Sequence, residues 1–270
     1  MGRKFNKNSY TMKNILSILF LVIFFTSCNS IKFKENPYFE DDYLVLHGKV
    51  KSITSISLPT KQSKDTIKYF TEYNKNNLPI KQIAYYKNGP ITSTLTYDKK
   101  NNLISIFFDG KHKSSTLYEY DKKGNVLNSK SYDNDVLSVE NKFTYDYKNN
   151  KIQEIHIGRD RPGDTTSFRN NYIERTCTSY SLNSKGGSKS FYDKKGKEIK
   201  SETKYGILLY EYDKMDRVSK KTSLDTNGKM KFENNYKNTY DKKKNLVETI
   251  IQDNNGYYSR IIYKIDYHSN

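Results

Sequence analysis

The sequence predicts an all-β protein: an elongated antiparallel β-meander of repeated hairpins, in a twisted or partly rolled sheet. Three observations support this: a recurring Tyr-Asp-Lys-Lys motif, two turn signals in each repeat, and polar-apolar alternation between the turns. Clear copies of the motif begin at Tyr97, Tyr120, Tyr192 and Tyr240, and looser copies begin at Tyr73, Tyr145 and Tyr212. Counting a degraded unit at 172–180, the mean period is about 24 residues. Such a period is typical of stacked or meandering units.

Each repeat contains a second turn signal about midway between the motif copies. These signals are clusters of Asn, Asp and Gly, for example Lys87–Gly89 and Asp133–Asp135. Asn, Asp and Gly tolerate the positive φ angles that tight hairpin turns require. Two turns per repeat leave segments of about eight residues, a normal strand length. We therefore expect roughly fourteen strands, in a sheet about 67 Å wide at ~4.8 Å per strand.

The segments between the turns alternate as strands do. From Tyr257 to Tyr267, every second residue is Tyr, Ser or Ile, whereas the intervening positions include Arg260, Lys264 and Asp266. This period of two predicts an antiparallel sheet with one solvated face. The chain has 25 Tyr and no Trp, and a Tyr ring covers apolar area while its hydroxyl stays in water. We expect a structural role for the repeated Tyr; the alternative is an aromatic platform that stacks on sugar rings.

The N-terminus has the features of a bacterial lipoprotein signal peptide. Residues 1–27 contain four basic residues, no acid and an apolar run of 11 residues, Ile15–Phe25, which suits a signal h-region. The run ends in Phe25-Thr26-Ser27-Cys28, which resembles a lipobox with lipidation at Cys28. The start is Met1 or Met12. We predict a signal peptide at 1–27, a lipidated tether at 28–42, a β-repeat domain at 43–270 and a lipid anchor in the outer membrane, on its periplasmic or cell-surface face.

The charge balance restricts the class of partner. The net charge is +17, and removal of the four basic residues of the signal leaves +13 for residues 28–270. An exported protein seldom meets nucleic acid, and no segment resembles a groove-reading helix, so we predict no nucleic-acid binding. We expect an anionic glycan, such as that of lipopolysaccharide, or a protein partner, and a monomer. Lysines at turns and edges also discourage association between strands.

The repeats resemble a known family. The segments Tyr118–Val126 and Tyr210–Val218 are similar to the YD repeat of the Rhs-type family, and the resemblance covers roughly residues 69–267. It implies a β-hairpin protein like the short YD-repeat bacterial lipoproteins. The larger members form shells around toxins, which suggests an accessory or immunity-like protein of a polymorphic toxin system as an alternative function. Unlike those larger members, this chain is expected to act without a toxin domain of its own.

The candidate chemistry is sparse, and we predict no enzyme, no cofactor and no metal. The four His residues lie far apart in the sequence and show no zinc spacing. The clusters Asp225–Gly228 and Asp253–Gly256 lack the acidic ligands of an EF-hand, so type I′ turns explain them better. Cys177 could be a nucleophile paired with His156, but it lies in a predicted strand, where a lone Cys packs as a small residue.

One segment interrupts the repeat rhythm. We interpret Gly158–Thr166 as a longer loop that contains two Arg, and binding residues often lie on loops of this kind. Arg forms bidentate contacts with carboxylate or phosphate. The sequence therefore predicts an anion site at Arg159, Arg161 and Arg169, with Tyr172 stacking beside it; the alternatives are that the segment is a tolerated insertion or that the sheet surface itself binds. The predicted function is a non-enzymatic envelope lipoprotein that presents a β-hairpin repeat surface to a glycan or protein partner.

Overall fold

The computed structural model describes residues 46–58, 66–159, 161–181, 186–256 and 258–269. These segments form eighteen β-strands and contain no helix. The strands are β1 (Val50–Ser57), β2 (Ile67–Tyr73), β3 (Pro79–Tyr86), β4 (Gly89–Tyr97), β5 (Leu103–Asp109), β6 (Ser114–Tyr120), β7 (Val126–Asp133), β8 (Val136–Tyr145), β9 (Lys151–Gly158), β10 (Arg161–Asn171), β11 (Thr176–Ser181), β12 (Gly187–Tyr192), β13 (Glu198–Thr203), β14 (Gly206–Tyr212), β15 (Val218–Leu224), β16 (Met230–Tyr240), β17 (Leu246–Asp253) and β18 (Tyr258–Tyr267). The predicted all-β class is confirmed.

The sheet is closed. Each strand pairs antiparallel with the next one along the chain, and β1 pairs with both β2 and β18. The contacts Ile53–Thr71 and Ile53–Ile265 complete the ring. The predicted elongated meander of about fourteen strands in a twisted or partly rolled sheet is therefore corrected to a closed barrel of eighteen strands. An up-and-down barrel has no unpaired sheet edge, which removes the main aggregation liability of a long meander.

A β-bulge follows almost every Tyr-Asp turn and accounts for the curvature. The Tyr at the end of β4, Tyr97, pairs with Leu103, whereas Thr96 pairs with Ser105, so the ladder skips Ile104. The residues skipped in the same way are Ile80, Ile104, Leu127, Ile152, Ile199, Ser219 and Val247. A bulge bends its strand and increases the local twist. Seven bulges at one repeat position bend the sheet in the same sense, and this favours closure.

The up-and-down order separates the turns into two rims. The Tyr-Asp rim consists of the turns at 74–78, 98–102, 121–125, 146–150, 172–175, 193–197, 213–217 and 241–245. The far rim consists of the intervening connections, of which the structure describes 58, 66, 87–88, 110–113, 134–135, 159, 186, 204–205, 225–229 and 254–256. Asn134 and Asp135 both have positive φ, as a type I′ turn requires. In the 225–228 and 253–256 turns only Gly228 and Gly256 have positive φ, so the type I′ prediction was wrong there.

The two faces of the sheet differ in burial. Leu95, Leu103 and Ile106 form a buried cluster on one face, against which Tyr97 packs. The opposite face carries ion pairs, for example Lys220 with Glu233 at 3.0 Å. Side chains on the concave face of a closed sheet converge, whereas those on the convex face diverge. We therefore assign the Tyr-bearing face to the interior and call it the inner face; the charged face is the outer face.

The described part of the chain holds no helix with the length and apolar character needed to cross a bilayer.

Candidate functional site

The Asp of the Tyr-Asp motif accepts the backbone hydrogen bonds that hold its turn. Oδ1 of Asp98 accepts hydrogen bonds from the backbone N–H groups of Lys100 and Asn102, both at 2.8 Å. Asn101 then adopts a left-handed φ of 67°. The backbone and side-chain hydrogen bonds from Asn102 hold the pKa of Asp98 below its ordinary value. Equivalent pairs of bonds form at Asp121, Asp146, Asp193, Asp213 and Asp241.

The repeated Tyr connects each turn to the one before it. The hydroxyl of Tyr240 donates to Asp213 Oδ2 at 2.6 Å, and that of Tyr267 donates to Asp241 Oδ2 at 2.6 Å. Other copies donate to a backbone carbonyl beside the preceding turn, for example Tyr120 to Leu103 at 2.7 Å. Burial and the hydrogen bond to Asp213 raise the pKa of Tyr240. These bonds give the repeated Tyr a specific structural role.

A Lys of the motif covers the Tyr of the following repeat. Lys243 Nζ lies 3.6 Å from the ring centroid of Tyr267, and Lys148 Nζ lies 3.9 Å from that of Tyr172. Such cation–π contacts contribute about 0.5–1 kcal/mol at exposed sites. Tyr, Asp and Lys of the motif therefore link neighbouring turns of the Tyr-Asp rim.

The N-terminal residues of the described domain close this rim. Asn245, fully buried, accepts a hydrogen bond from His47 N–H at 2.7 Å and donates to the His47 carbonyl at 2.8 Å. On the other side, Asn77 accepts from Val50 N–H at 3.0 Å and donates to the Gly48 carbonyl at 2.8 Å. The chain from His47 to Val50 thus fills the gap between the first and the last Tyr-Asp turn.

The predicted anion site is not assembled by the structure. The segment interpreted as a long loop is mostly strand, because β10 begins at Arg161 and a bulge lies between Arg161 and Asp164. Arg159 is at the far rim, where its Nε donates to the Leu137 carbonyl at 3.2 Å. Tyr172 is at the Tyr-Asp rim and donates to Asp146. The eleven residues of β10 separate them by roughly 33 Å.

Arg169 and Tyr172 also differ in the direction they face. Arg169 is exposed on the outer face and pairs with Thr178. Tyr172 is half-buried beneath Lys148. The structure therefore does not bring Arg159, Arg161, Arg169 and Tyr172 together in one site, because the segment predicted to be a loop is a strand. Cys28 lies outside the described residues, so its lipidation stays a prediction.

The structure separates the one candidate catalytic pair. Cys177 pairs with Asn170, whereas His156 pairs with Asp164. The offset of six residues between Asp164 and Asn170 corresponds to roughly 20 Å along β10. His156 Nδ1 instead lies 2.7 Å from Asn141 Oδ1. Among the described residues, no cluster of three or more His, Cys, Asp or Glu side chains is arranged to hold a metal ion.

A row of alternating large and small residues crosses the inner face between β18 and β4. Direct register pairs place Tyr263 beside Ser55, Ser55 beside Tyr69, Tyr69 beside Ala84, and Ala84 beside Ile91. The small residues leave depressions between the large ones. We call this row, together with Tyr86 and Gly89, the aromatic trough.

The aromatic trough extends one row further toward the far rim. Tyr86 pairs with Gly89, and no other atom lies within 4 Å of the position that a Cβ of Gly89 would occupy. The relative exposure of Tyr86 is 50%, and that of Tyr69 is 40%. Ile67 and Ile91 are also exposed. Large exposed apolar side chains in one contiguous group are typical of binding surfaces.

The sequence did not reveal this group, because the side chains that face each other across the sheet depend on the register of each strand pair. Tyr69, Tyr86 and Ile91 lie at ordinary alternating positions, and nothing in the motif distinguishes them. The available signal was the small side chain of Ala84 between the larger Tyr69 and Ile91. That signal has meaning only once the register is known.

No protein-family model and no curated protein sequence matches this chain. Among solved structures, a porin-like protein from Bacteroides uniformis aligns over 82% of this chain and 98% of its own, with 10% identity and a TM-score of 0.45. The TcdB2-TccC3-Cdc42 complex aligns over 74% of this chain and 16% of its own, with 11% identity and a TM-score of 0.26. The LolA superfamily protein NE2245 from Nitrosomonas europaea aligns over 89% and 90%, with 12% identity and a TM-score of 0.25. All three TM-scores are low, and no functional assignment rests on them.

Proposed function

We propose that this chain is a non-enzymatic envelope lipoprotein whose closed YD-repeat sheet binds a glycan in the aromatic trough. The observation that carries the proposal is the exposed Tyr69–Ala84–Ile91 row on the inner face. A closed barrel of this size can hold a ligand on its interior surface, as other barrels do.

The dimensions of the trough suit a sugar ring. Tyr69 and Ile91 are two strand spacings apart, about 10 Å between backbones, with only the methyl group of Ala84 between them. A pyranose ring over Ala84 would place its apolar face against the Tyr69 ring. Ser55, beside Tyr69, offers a hydroxyl to the sugar. Tyr rings with nearby hydrogen-bonding groups are common in ligand sites.

The test compares two exposed Tyr residues on a glycan array. Tyr69→Ala should weaken binding about tenfold or more, equivalent to about 1.4 kcal/mol. Tyr180→Ala is the matched control, since Tyr180 is 54% exposed but lies on the outer face of β11. Equal losses in the two variants would contradict the proposal. Capture of a protein, such as a toxin encoded nearby, with no glycan bound would favour the accessory or immunity-like alternative.

The envelope location is proposed from the signal-like N-terminus and is tested separately. Cys28→Ala should abolish labelling with a radioactive or clickable fatty acid and release the protein from the membrane fraction. Labelling that persists in the variant would rule out Cys28 as the acylation site. This result is independent of glycan binding.

A further inference from the structure

The Tyr-Asp rim concentrates exposed lysines. Because alternate hairpins of an up-and-down barrel end at the same rim, each copy of the motif adds its lysines to one ring. The exposed members are Lys75, Lys99, Lys100, Lys122, Lys123, Lys194, Lys195, Lys214, Lys242, Lys243 and Lys244. The described turns of the far rim carry fewer exposed basic residues: Lys87, Lys111, Lys113, Arg159, Lys204 and Lys229.

Most carboxylates of the Tyr-Asp rim are bonded within it; the exception is Glu174, which is exposed in the 172–175 turn. Asp98, Asp121 and Asp241 are only partly exposed, and their oxygens accept hydrogen bonds from the turn itself. Asp216 is exposed, but its Oδ1 lies 2.7 Å from Lys197 Nζ and 3.2 Å from Lys195 Nζ. The groups that protrude are therefore mainly cationic.

Two apolar or aromatic side chains project from adjacent turns of the same rim. Ile173, in the 172–175 turn, is 96% exposed, and Tyr147, in the 146–150 turn, is 78% exposed. No other large hydrophobic side chain of the described chain is as exposed as these two. An exposed Ile contributes no favourable burial at a surface that faces water, whereas at a lipid surface its apolar side chain is buried. Aliphatic and Tyr side chains beside basic residues are typical of membrane-interface contacts.

The chain also enters the domain at this rim. His47 and Gly48 are hydrogen-bonded to Asn245 and Asn77 of the Tyr-Asp turns. The first described residue, Leu46, therefore lies at the rim that carries the lysines.

We infer that the Tyr-Asp rim is a docking surface for an anionic phospholipid bilayer. A ring of lysines at one level is complementary to a planar layer of phosphates. Ile173 and Tyr147 enter the interfacial region beside them. Polybasic surfaces bind anionic bilayers through the electrostatic attraction between basic side chains and lipid phosphates. Added salt screens this attraction. The far rim, next to the aromatic trough, then faces away from the membrane.

The test measures partitioning of the full chain onto vesicles by co-sedimentation. All proteins carry Cys28→Ala, so acylation is absent and the N-terminal segment is the same throughout. Vesicles of phosphatidylcholine are compared with vesicles that also contain phosphatidylglycerol. The rim variant combines K99Q, K100Q, K122Q and K123Q, and the matched control combines K87Q, K111Q, K113Q and K204Q. Circular dichroism and thermal unfolding verify that the variants fold.

The rim variant should lose about tenfold or more of its partitioning onto phosphatidylglycerol vesicles, and the far-rim control less than about twofold. Ile173→Ser should lower partitioning about threefold, whereas Tyr205→Ser, at an exposed far-rim position, should leave it unchanged. Equal losses from the two lysine sets would overturn the inference. So would a rim variant that loses binding while Ile173→Ser has no effect, because the lysines would then serve a soluble polyanion. Binding to lipopolysaccharide micelles without binding to phosphatidylglycerol vesicles would also overturn the inference. None of these results depends on glycan binding in the trough.

Discussion

The two rims of the barrel contain the same number of strand ends, but the turns that connect those ends are held by different hydrogen bonds. At the Tyr-Asp rim, an Asp organises nearly every turn, and Tyr hydroxyls connect one turn to the next. At the far rim the turns differ in length and type: Asn134 and Asp135 form a type I′ turn, whereas Asp225 organises a longer one. Repetition in the sequence therefore corresponds to a hydrogen-bonded network at the Tyr-Asp rim.

This difference separates structural from functional constraint. A turn that bonds to both neighbours cannot vary freely, because its Asp and Tyr each serve two repeats. The described far-rim turns also bond to neighbouring hairpins, as Asn134 N–H does to the Lys113 carbonyl, but they share no repeated Asp–Tyr connection and so tolerate variation. We therefore expect ligand specificity near the far rim and stability at the Tyr-Asp rim. Three substitutions, in order of expected effect, test this contrast.

The largest effect is expected where the ring closes. Asn245→Ala removes the partners of His47 N–H, the His47 carbonyl and the Tyr267 hydroxyl at a fully buried position. Because buried polar groups lose their bonds, the free energy of unfolding should fall by about 3 kcal/mol. Urea unfolding measures it. Asn255→Ala, in an exposed far-rim turn, is the control, with an expected change under about 0.5 kcal/mol. Similar losses in both would refute the contrast.

A second comparison uses the same type of turn at the two rims. Asp213 and Asp225 each accept two backbone N–H bonds within their turns. Only Asp213 also accepts from Tyr240 and from Asn238. Asp213→Ala should therefore cost about 2 kcal/mol and Asp225→Ala about 1 kcal/mol. If chemical denaturation gives equal values, the bonds between turns contribute nothing measurable.

The hydrogen bond between Tyr240 and Asp213 should make stability depend on pH in both the acidic and the alkaline range. Burial alone would raise the pKa of Asp213, but hydrogen bonds from Tyr240 and its own turn lower it overall. Its contribution is therefore present above the ordinary value of 3.8 and is lost as the pH falls through the lowered folded value. For Tyr240 the pKa is raised by burial and by Asp213, so its contribution is present below pH 10 and is lost above it.

Tyr240→Phe is the smallest of the three changes. It should cost about 1 kcal/mol at neutral pH and make the loss of stability above pH 10 less steep. Thermal unfolding at a series of pH values measures both effects. Tyr258→Phe, at an exposed position on β18, is the control. An unchanged alkaline profile in Tyr240→Phe would show that this hydroxyl is not a contributor.

Several features could be predicted from the sequence because they depend on neighbouring residues. Asp98 and Asn101 form a turn with residues within the same motif, so local preference is sufficient. The same holds for the alternation that predicted strands such as β18. The gathering of lysines at one rim also follows from a meander with one motif per hairpin, although it was not predicted. The loop assigned around Arg161 failed because a bulge disturbed the alternation without ending the strand.

The sequence by itself determined the all-β class, the hairpin repeat and the chemistry of the Tyr-Asp turns, because each depends on residues close together in the chain. The tertiary structure decided the closure and the aromatic trough. Closure depends on small bends added at bulges such as Ile104 and on the pairing of β1 with β18, whose residues are about 200 positions apart. The trough depends on the register that sets Tyr69 beside Ala84. Closure results from the summed geometry of the whole ladder, which no single repeat contains, whereas the trough results from the register of neighbouring strands.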